Sequence, residues 1–371
     1  MSGAMSLYLD LVRFLAAVTV FMTHAAFERF GGSGLAIGNH AHEAVMVFFV
    51  LSGFVIAYVV DQKEKTFRHY TVNRMARLYS VALPALLLVA VFDLIGGIFD
   101  PSLYSDYCCQ YSYPVIRLAI NALFLNEIWF ESVRPFSNAP YWSLGYEFWY
   151  YVLFAGYFYF SGTKRYLVLL VSSLIAGPSI LLLLPVWLMG VWLYRFLKNS
   201  RIREFAGWLL LIASVVGYGF YRSMDLHTHA MELTAQLFGS DGAHALQWSR
   251  AFWSDWFLGL LICMNFAGFS VLSNRVSGWL TSLHDLQLER AIRYFAGMTF
   301  SLYLFHYPLL QFLTAVSRGM ESQWRNMVVT IVVFVLAGLL SIFTERKKGV
   351  VRRLLDRVAR MIFPIEKRAE W

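Results

Sequence analysis

The chain has 371 residues, of which 58% are hydrophobic, 18% aromatic and only 15% charged, with a formal net charge of +8 at pH 7. Soluble globular domains are about 45–50% apolar and about 25% charged, so this composition excludes an ordinary soluble domain and predicts a polytopic membrane protein. The sequence contains no metal-ligand motif, Gly-rich phosphate loop or nucleic-acid motif, so we expect neither a metal ion nor a nucleic acid as a partner.

Eleven apolar segments are candidates for membrane spans, since a span needs roughly 20 mostly apolar residues. They lie at 7–27, 43–60, 78–99, 115–130, 141–160, 166–183, 184–198, 206–222, 251–272, 294–317 and 326–344. The fourth segment, 115–130, is short and carries several polar and charged residues. The sequence therefore predicts an all-α integral membrane protein of about ten transmembrane helices plus one short re-entrant or interfacial segment.

The lysines and arginines predict the orientation of these spans, because cytoplasmic loops carry the excess of basic residues. With ten spans, most of the basic residues fall on one side, which places both termini in the cytoplasm. The chain has no internal repeat and no linker, so residues 1–345 are predicted to form one transmembrane domain. Residues 346–371 repeat apolar residues at helical spacing with arginines opposite, which predicts a basic amphipathic cytoplasmic tail on the inner leaflet. The long loop 223–250 is expected to cap the outer face.

The first span carries four ionisable residues in the stretch DLVRFLAAVTVFMTHAAFE, residues 10–28. Arg13 and His24 are eleven positions apart, which puts them within ~20° on one helix face and about 16 Å apart along it. Asp10 and Glu28 lie within side-chain reach of this pair, so they could neutralise the arginine and orient the imidazole. Ionisable residues inside a span are costly and indicate function, although polar contacts between helices are the alternative.

Several segments resemble, in chain order, the motifs of the membrane-bound acyltransferase-3 family. They are DLVRFLAAVTVFMTHA (10–25), VMVFFVLSGFVIAY (45–58), NRMARLYSVAL (73–83), YWSLGYEFWYYVLF (141–154), FSLYLFHYPLL (300–310) and SIFTER (341–346). The resemblance covers about residues 7 to 346. It implies an enzyme of the bacterial inner membrane, with several spans, that moves an acyl group, usually acetyl, from cytosolic acyl-CoA to a carbohydrate hydroxyl.

The donor side of such a reaction needs cations, because CoA is a polyanion and guanidinium groups bind phosphate well. Arg74 and Arg77 match the family's Arg-x-x-Arg and lie at the predicted cytoplasmic start of a span, where we expect them to bind acetyl-CoA. Ordinary positive-inside anchoring is the alternative for both. Arg13 lies deeper and is expected to hold the pantetheine arm or stabilise the oxyanion, unless it only pairs with Asp10.

The acceptor side needs a general base for the hydroxyl proton, and His24 is the predicted base because an imidazole titrates near neutral pH. Glu147 and His306 are expected at the same outer level as His24. Glu147 would bind sugar hydroxyls or support His24, and His306 would line the acceptor side. Buried polar packing is the alternative for these two residues.

Three further residues of the matching motifs are candidates for binding the acceptor: Tyr303, Trp142 and Ser143. For Trp142, a place in the aromatic belt that marks membrane interfaces is favoured over a role as a sugar platform. Pro308, in the same helix as Tyr303, is expected to free a backbone carbonyl near Leu304.

We therefore predict a membrane O-acetyltransferase that acts on a surface or exported glycan or its lipid-linked precursor. Direct transfer is favoured, because no serine or cysteine stands beside His24, and an acyl-histidine intermediate is the alternative. The expected partners are acyl-CoA, the saccharide acceptor and membrane lipid, with homo-oligomers and glycan-export machinery left open. No further domain follows the last span, so the chain is expected to acylate its acceptor itself or with a separate partner. The alternatives are a transporter or flippase that uses the buried Arg, His and Glu as a relay, and an acyltransferase for a small natural product.

Overall fold

The computed structural model describes residues 2–32, 39–104, 112–200, 202–282 and 286–362. Across these residues the regular structure is helical and contains no strand, which confirms the predicted all-α class. The helices are α1 (Gly3–Ala25), α2 (Ala41–Gln62), α3 (Phe67–Phe99), α4 (Pro101–Tyr104), α5 (Pro114–Ala122), α6 (Trp142–Tyr159), α7 (Gly162–Asn199), α8 (Glu204–Ser223), α9 (Leu226–Ala245), α10 (Phe252–Ser282), α11 (Leu286–Ala296), α12 (Thr299–Val316), α13 (Ser322–Phe343) and α14 (Lys348–Ile362).

Within the described ranges, seven helices are long and apolar enough to cross a membrane, judged by length and composition. They are Gly3–Ala25, Ala41–Gln62, Phe67–Phe99, Gly162–Asn199, Glu204–Ser223, Phe252–Ser273 and Trp324–Ile362. The last range runs through both α13 and α14. Helices α6 and α12 have 18 residues each and carry several tyrosines and other polar side chains, which lower their hydropathy. The count of ten spans and the cytoplasmic location of both termini stay predictions. We call the end of the bundle near the C-terminus of α1 the outer end, following the predicted orientation.

Helix α7 replaces two of the predicted spans. The sequence divides this region between residues 183 and 184, whereas the helix breaks at Gly177, which has a φ of 79° and a ψ of 177°. The apolar run is continuous across this point, so hydropathy alone cannot locate the break. Glycine adopts the positive φ without steric cost, and Pro178 next to it has no N–H group to continue the helix.

Contacts on the two sides of this break show that the chain reverses direction there. Before the break, Val168 packs against Gly156 near the end of α6. After it, the ammonium of Lys198 lies 2.9 Å from the carboxylate of Asp61 at the end of α2. Both contacts lie at the inner end of the bundle, so α7 is a helical hairpin whose tip lies at the outer end.

The predicted short segment 115–130 overlaps only the nine-residue helix α5, Pro114–Ala122, which spans about 14 Å and cannot cross a membrane. The chain then continues as a buried irregular loop, in which Glu127 is only 1% exposed. Burial raises the pKa of Glu127 to about 8, even though Asn126 and Ser132 donate hydrogen bonds to it. Irregular backbone inside a membrane protein is tolerated where it is enclosed by protein, as it is around Asn126, Glu127 and Asn138.

This buried loop also accounts for Pro308. The proline leaves the carbonyl of Leu304 without its helical donor. Asn138 of the loop donates a hydrogen bond to that carbonyl, with Nδ2 3.0 Å from the oxygen. The freed carbonyl expected from the sequence is therefore confirmed, and it ties the loop to the middle of α12.

Helices α9, α11 and α14 lie wholly or largely outside the eleven apolar segments predicted from the sequence. Most of the predicted loop 223–250 is helix α9, and α11 is an amphipathic helix ahead of α12. The predicted amphipathic tail contains α14, which packs along α3, and its Asp356 lies 3.9 Å from Arg68. The remainder of the tail, 363–371, lies outside the described residues.

Helices α2 and α7 form a tight contact between glycines. A Cβ on Gly53 would collide with the carbonyl oxygen of Trp187, and one on Gly190 would collide with the carbonyl oxygen of Val50. Small residues allow two helix backbones to approach closely in a membrane protein. This contact holds α2, which lines the site described next, against the second half of the α7 hairpin.

Candidate functional site

Three cavities follow one another through the helix bundle. The inner cavity has a volume of about 250 Å³, the central cavity about 50 Å³ and the outer cavity about 310 Å³. Arg13 and Arg77 line both the inner and the central cavity, and Val45 and Tyr303 line both the central and the outer cavity. His24 lines the outer cavity, so the arginine and the histidine of α1 face the same row of adjoining cavities.

The inner cavity is strongly basic. Its charged lining consists of Arg13, Arg77, Arg293, Arg346 and Lys348 with Asp10 and Glu345. Both carboxylates are already engaged. Asp10 lies 3.6 Å from Arg13 and 3.2 Å from Arg293, and Glu345 accepts hydrogen bonds from the first backbone N–H groups of α12. An excess of cations therefore remains for an anionic ligand.

The two arginines of the Arg-x-x-Arg motif have different surroundings. Arg74 is buried, lies 2.8 Å from the carboxylate of Glu64 and is outside the three cavities. Arg77 faces the inner and central cavities, and no carboxylate of the described chain lies within 4.0 Å of its guanidinium. A guanidinium held in a protein interior without a close counter-ion is costly, which favours an anionic ligand at Arg77.

Glu147 lies in the central cavity, one level further in than the two histidines. Its Oε1 accepts a hydrogen bond from Ser52 at 2.9 Å and another from Tyr151. It also interacts electrostatically with Arg77. The sequence places Glu147 at the level of His24, whereas the structure puts it in the central cavity, between the inner and outer cavities, because α6 runs inward from Trp142.

His24 and His306 form a direct hydrogen-bonded pair. The Nδ1 of His24 lies 2.8 Å from the Nε2 of His306, and the two rings are nearly parallel at 6°. The Nδ1 of His306 lies 3.0 Å from the carbonyl oxygen of Leu302, which can only accept. The network therefore assigns the proton of His306 to Nδ1, so that His24 donates from Nδ1 and keeps Nε2 as a lone pair.

Of the two acidic residues expected to pair with Arg13 and His24, only Asp10 makes the expected contact. Asp10 lies 3.6 Å from Arg13, in the pairing expected from the sequence. Glu28 lies beyond the end of α1 in a short 3₁₀ turn, and within the described chain no ion pair or side-chain hydrogen bond joins it to His24. The imidazole is instead oriented by His306 from α12, a contact between residues 282 positions apart.

Aromatic and polar residues line the outer cavity. The ring of Trp142 is stacked on that of Trp248, with centroids 4.8 Å apart, and Trp142 is 5% exposed. Tyr303 donates a hydrogen bond to the carbonyl of Pro140 at 2.9 Å, and its oxygen lies 2.8 Å from the hydroxyl of Ser143. These contacts hold the aromatic wall of the outer cavity in place.

Two arginines in the outer cavity lack carboxylate partners. Arg134 lies over the ring of Trp248, 5.6 Å from its centroid, and Arg250 lines the same cavity. In the part of the chain that the structure describes, neither guanidinium has a carboxylate within 4.0 Å. The outer cavity therefore also has an excess of positive charge.

Sequence reasoning missed a cluster at the wall of the outer cavity, formed by His42, His227 and Asp255. Burial, followed by the proximity of His42, lowers the pKa of His227 to about 4. The three residues come from α2, α9 and α10, and no motif joins them along the chain. The acidic and histidine-rich composition of the 223–250 segment was the only available signal.

The comparisons with known proteins agree on one class of enzyme. The family model described as "Acyltransferase domain" matches residues 6–346. A relative, "Acyltransferase MdmB" from Streptomyces mycarofaciens, is 29% identical over 151 residues, which cover 38% of this chain and 36% of the relative. The match thus spans about a third of that protein's length, and no solved structure matches. Since the family model covers nearly the whole chain, this protein belongs to the acyltransferase-3 family of membrane acyltransferases.

Proposed function

We propose that the protein transfers an acetyl group from cytosolic acetyl-CoA, bound in the inner cavity, to a saccharide hydroxyl in the outer cavity. The observation that carries this proposal is the row of three adjoining cavities, with an oriented imidazole at His24 and the guanidinium of Arg77, which has no carboxylate within 4.0 Å among the described residues. A reaction between a cytosolic donor and an acceptor from the other side of a membrane needs such a path.

The basic lining of the inner cavity supports acetyl-CoA as the donor. The phosphates of CoA would bind at the rim, where Arg346 and Lys348 lie, and the thin pantetheine arm would extend past Arg13 and Arg77. Arg74, which is engaged by Glu64, would support this region without touching the donor. The thioester would then lie near the central cavity, where Arg13 and Arg77 can stabilise a developing oxyanion.

His24 would act as the general base. Its Nε2 takes the proton of the acceptor hydroxyl while the hydroxyl oxygen attacks the thioester carbonyl. The tetrahedral intermediate then collapses, the C–S bond breaks, and the CoA thiolate receives the proton from the imidazolium of His24. The hydrogen bond that His24 donates to His306 holds the imidazole of His24 in the required tautomer and stabilises this imidazole while it is charged.

The charge of the outer cavity supports an acceptor that carries an anionic group. Arg134 and Arg250 would bind a phosphate or a carboxylate, while the stacked rings of Trp142 and Trp248 would contact a sugar ring. A lipid-linked glycosyl phosphate and an acidic glycan both meet this description. A neutral natural product would leave both guanidinium groups without a partner.

Thioester turnover tests the proposal. Membranes of the producing organism, which supply the acceptor, would be given acetyl-CoA, and both free CoA and the acetyl content of the glycan would be measured. His24→Gln is expected to abolish both signals, whereas His69→Ala, which changes an exposed histidine of α3, should leave them unchanged. CoA release by His24→Gln at the wild-type rate contradicts the proposal, and a transporter would release no CoA with either chain.

The acceptor chemistry is tested separately. Arg134→Ala and Arg250→Ala are expected to raise the KM for an anionic acceptor about 10-fold each, the effect of losing one charged hydrogen bond. The KM for acetyl-CoA should not change, because neither residue lines the inner cavity. Equal use of neutral and anionic saccharides by the wild-type enzyme would argue for a neutral acceptor.

A further inference from the structure

We propose that His42, His227 and Asp255 form a binding site for a divalent transition-metal ion, of which Zn²⁺ fits best, in the wall of the outer cavity. This inference goes beyond acyl transfer and does not depend on the proposed reaction. It rests on the geometry of the three side chains, on two unsatisfied buried atoms, and on the chemistry of the ligand set.

The three side chains converge from three helices. One ligand atom from each residue lies within 4.8 Å of the other two, and the Nε2 of His42 lies 3.0 Å from the Oδ1 of Asp255. Zinc bonds of about 2.0–2.1 Å in tetrahedral geometry separate the ligand atoms by about 3.3 Å. The His42–Asp255 pair is already close to this spacing, and the ligand atom of His227, within 4.8 Å of both, needs a shift of at most about 1.5 Å.

Two polar atoms in this cluster are buried and have no hydrogen-bond partner among the described residues. They are the Oδ2 of Asp255, whose side chain is wholly buried, and the Nδ1 of His227. A buried carboxylate oxygen or ring nitrogen without a partner costs about 1–3 kcal/mol, more where the group is charged. A bound cation would stabilise the carboxylate, and it would give the imidazole of His227 an electron-pair acceptor.

The ligand set favours a transition metal over Mg²⁺ or Ca²⁺. Two imidazoles and one carboxylate are typical zinc ligands, whereas Mg²⁺ and Ca²⁺ prefer oxygen ligands throughout. Nearby Arg250 is exposed, so solvent screens its repulsion, and nearby Glu43 is paired with Arg222 at 2.7 Å.

The position of the site leaves one coordination position open. His42 and His227 line the outer cavity, whereas Asp255 lies behind them in the protein. The fourth position of a tetrahedral ion would therefore face the cavity, where a water molecule or an oxygen of the acceptor could occupy it. Sites with three protein ligands and one open position hold exchangeable ligands.

Metal binding can be measured without any activity assay. The full chain, purified in detergent with a tag that contains no histidine, would be stripped with EDTA, incubated with Zn²⁺, desalted and analysed for metal content. Co²⁺ would serve as a second probe, because its visible absorption reports tetrahedral coordination. We expect one ion per wild-type chain and a rise in the apparent Tm on addition of Zn²⁺.

Two variants remove ligands in different ways. Asp255→Asn preserves the shape of the side chain, and His227→Ala removes a partly exposed ring from α9. Each variant should weaken Zn²⁺ binding more than about tenfold, because even the loss of a residue that only supports a ligand has about that effect. His229→Ala, two positions along the same helix and exposed, is the matched control and should bind like the wild type. No ion on the wild-type chain, or equal binding by His227→Ala and His229→Ala, would overturn the proposal, whatever the outcome of the acetyl-transfer assays.

Discussion

Replacement of His306 tests the link between geometry and catalysis most directly. The residue lies 0% exposed in the middle of α12, receives a hydrogen bond from His24, and is anchored by the carbonyl of Leu302. His306→Leu removes the acceptor of that bond with little change in volume. His306→Gln keeps an oxygen near the position of the lost nitrogen, so it should partly restore the contact.

The expected effect follows from two losses. The hydrogen bond between the rings contributes about 0.5–1.5 kcal/mol to holding His24 in place. Without it, His24 also samples the other tautomer and other ring orientations, which adds a loss of similar size. Together these correspond to about 1–3 kcal/mol, or a fall in kcat of about 5–150-fold. His306→Gln should recover roughly half of this free energy.

The assay is CoA release from acetyl-CoA in the same membranes, with kcat and KM determined separately. The KM for acetyl-CoA should stay within about twofold, because His306 does not line the inner or central cavity. Thr314→Val, a nearly isosteric change at a buried residue of the same helix, is the control for folding. A folded His306→Leu chain with wild-type kcat would refute the role of His306 as a positioning residue.

Three further predictions concern the donor site, a buried acid and the helix packing. Arg77→Ala should raise the KM for acetyl-CoA about 10–100-fold, as expected for loss of a charged hydrogen bond. Arg68→Ala, on the same helix, should raise this KM far less, and equal effects of the two variants would contradict donor binding at Arg77. Since the pKa of Glu127 is raised to about 8, its folded form keeps a proton that the unfolded chain loses above about pH 4.5, so stability should fall as the pH rises between these values. The apparent Tm of Glu127→Gln should therefore exceed that of the wild type increasingly from pH 6 to 8, and a constant difference would argue against a protonated acid. Gly190→Ala should lower the free energy of unfolding by about 1–3 kcal/mol, and with it the apparent Tm, because the added Cβ overpacks against Val50. Gly97→Ala, where a Cβ meets open space, should leave the apparent Tm unchanged in detergent and in lipid.

Much of the fold could be predicted because membrane spans are written in local composition. The all-α class and the short, non-spanning segment at 115–130 follow from hydropathy and from its polar residues. The break at Gly177 could not be located, because the apolar pattern continues through it and only the turn geometry marks it. Helix α9 has no apolar run of span length, so a composition-based reading treats it as a loop.

The site was predictable where spacing along one helix decides the arrangement, as for Arg13 and His24, which do face one row of cavities. It was not predictable where the partner comes from a distant helix. The contact of His24 with His306, the separation of Arg74 from Arg77, and the cluster around Asp255 all depend on how the helices pack. Sequence spacing contains no information on such contacts.

The small volume of the central cavity has a consequence for the cell as a whole. An enzyme that joins a cytosolic thioester to an external sugar would, with a wide passage, dissipate the proton gradient across its own membrane. Here the middle compartment holds only about 50 Å³, and bulky apolar side chains such as Phe48 and Phe49 line it together with Arg13, Arg77 and Glu147. If the proposed transfer takes place here, a constriction with room for only a few water molecules would keep the membrane electrically tight between turnovers.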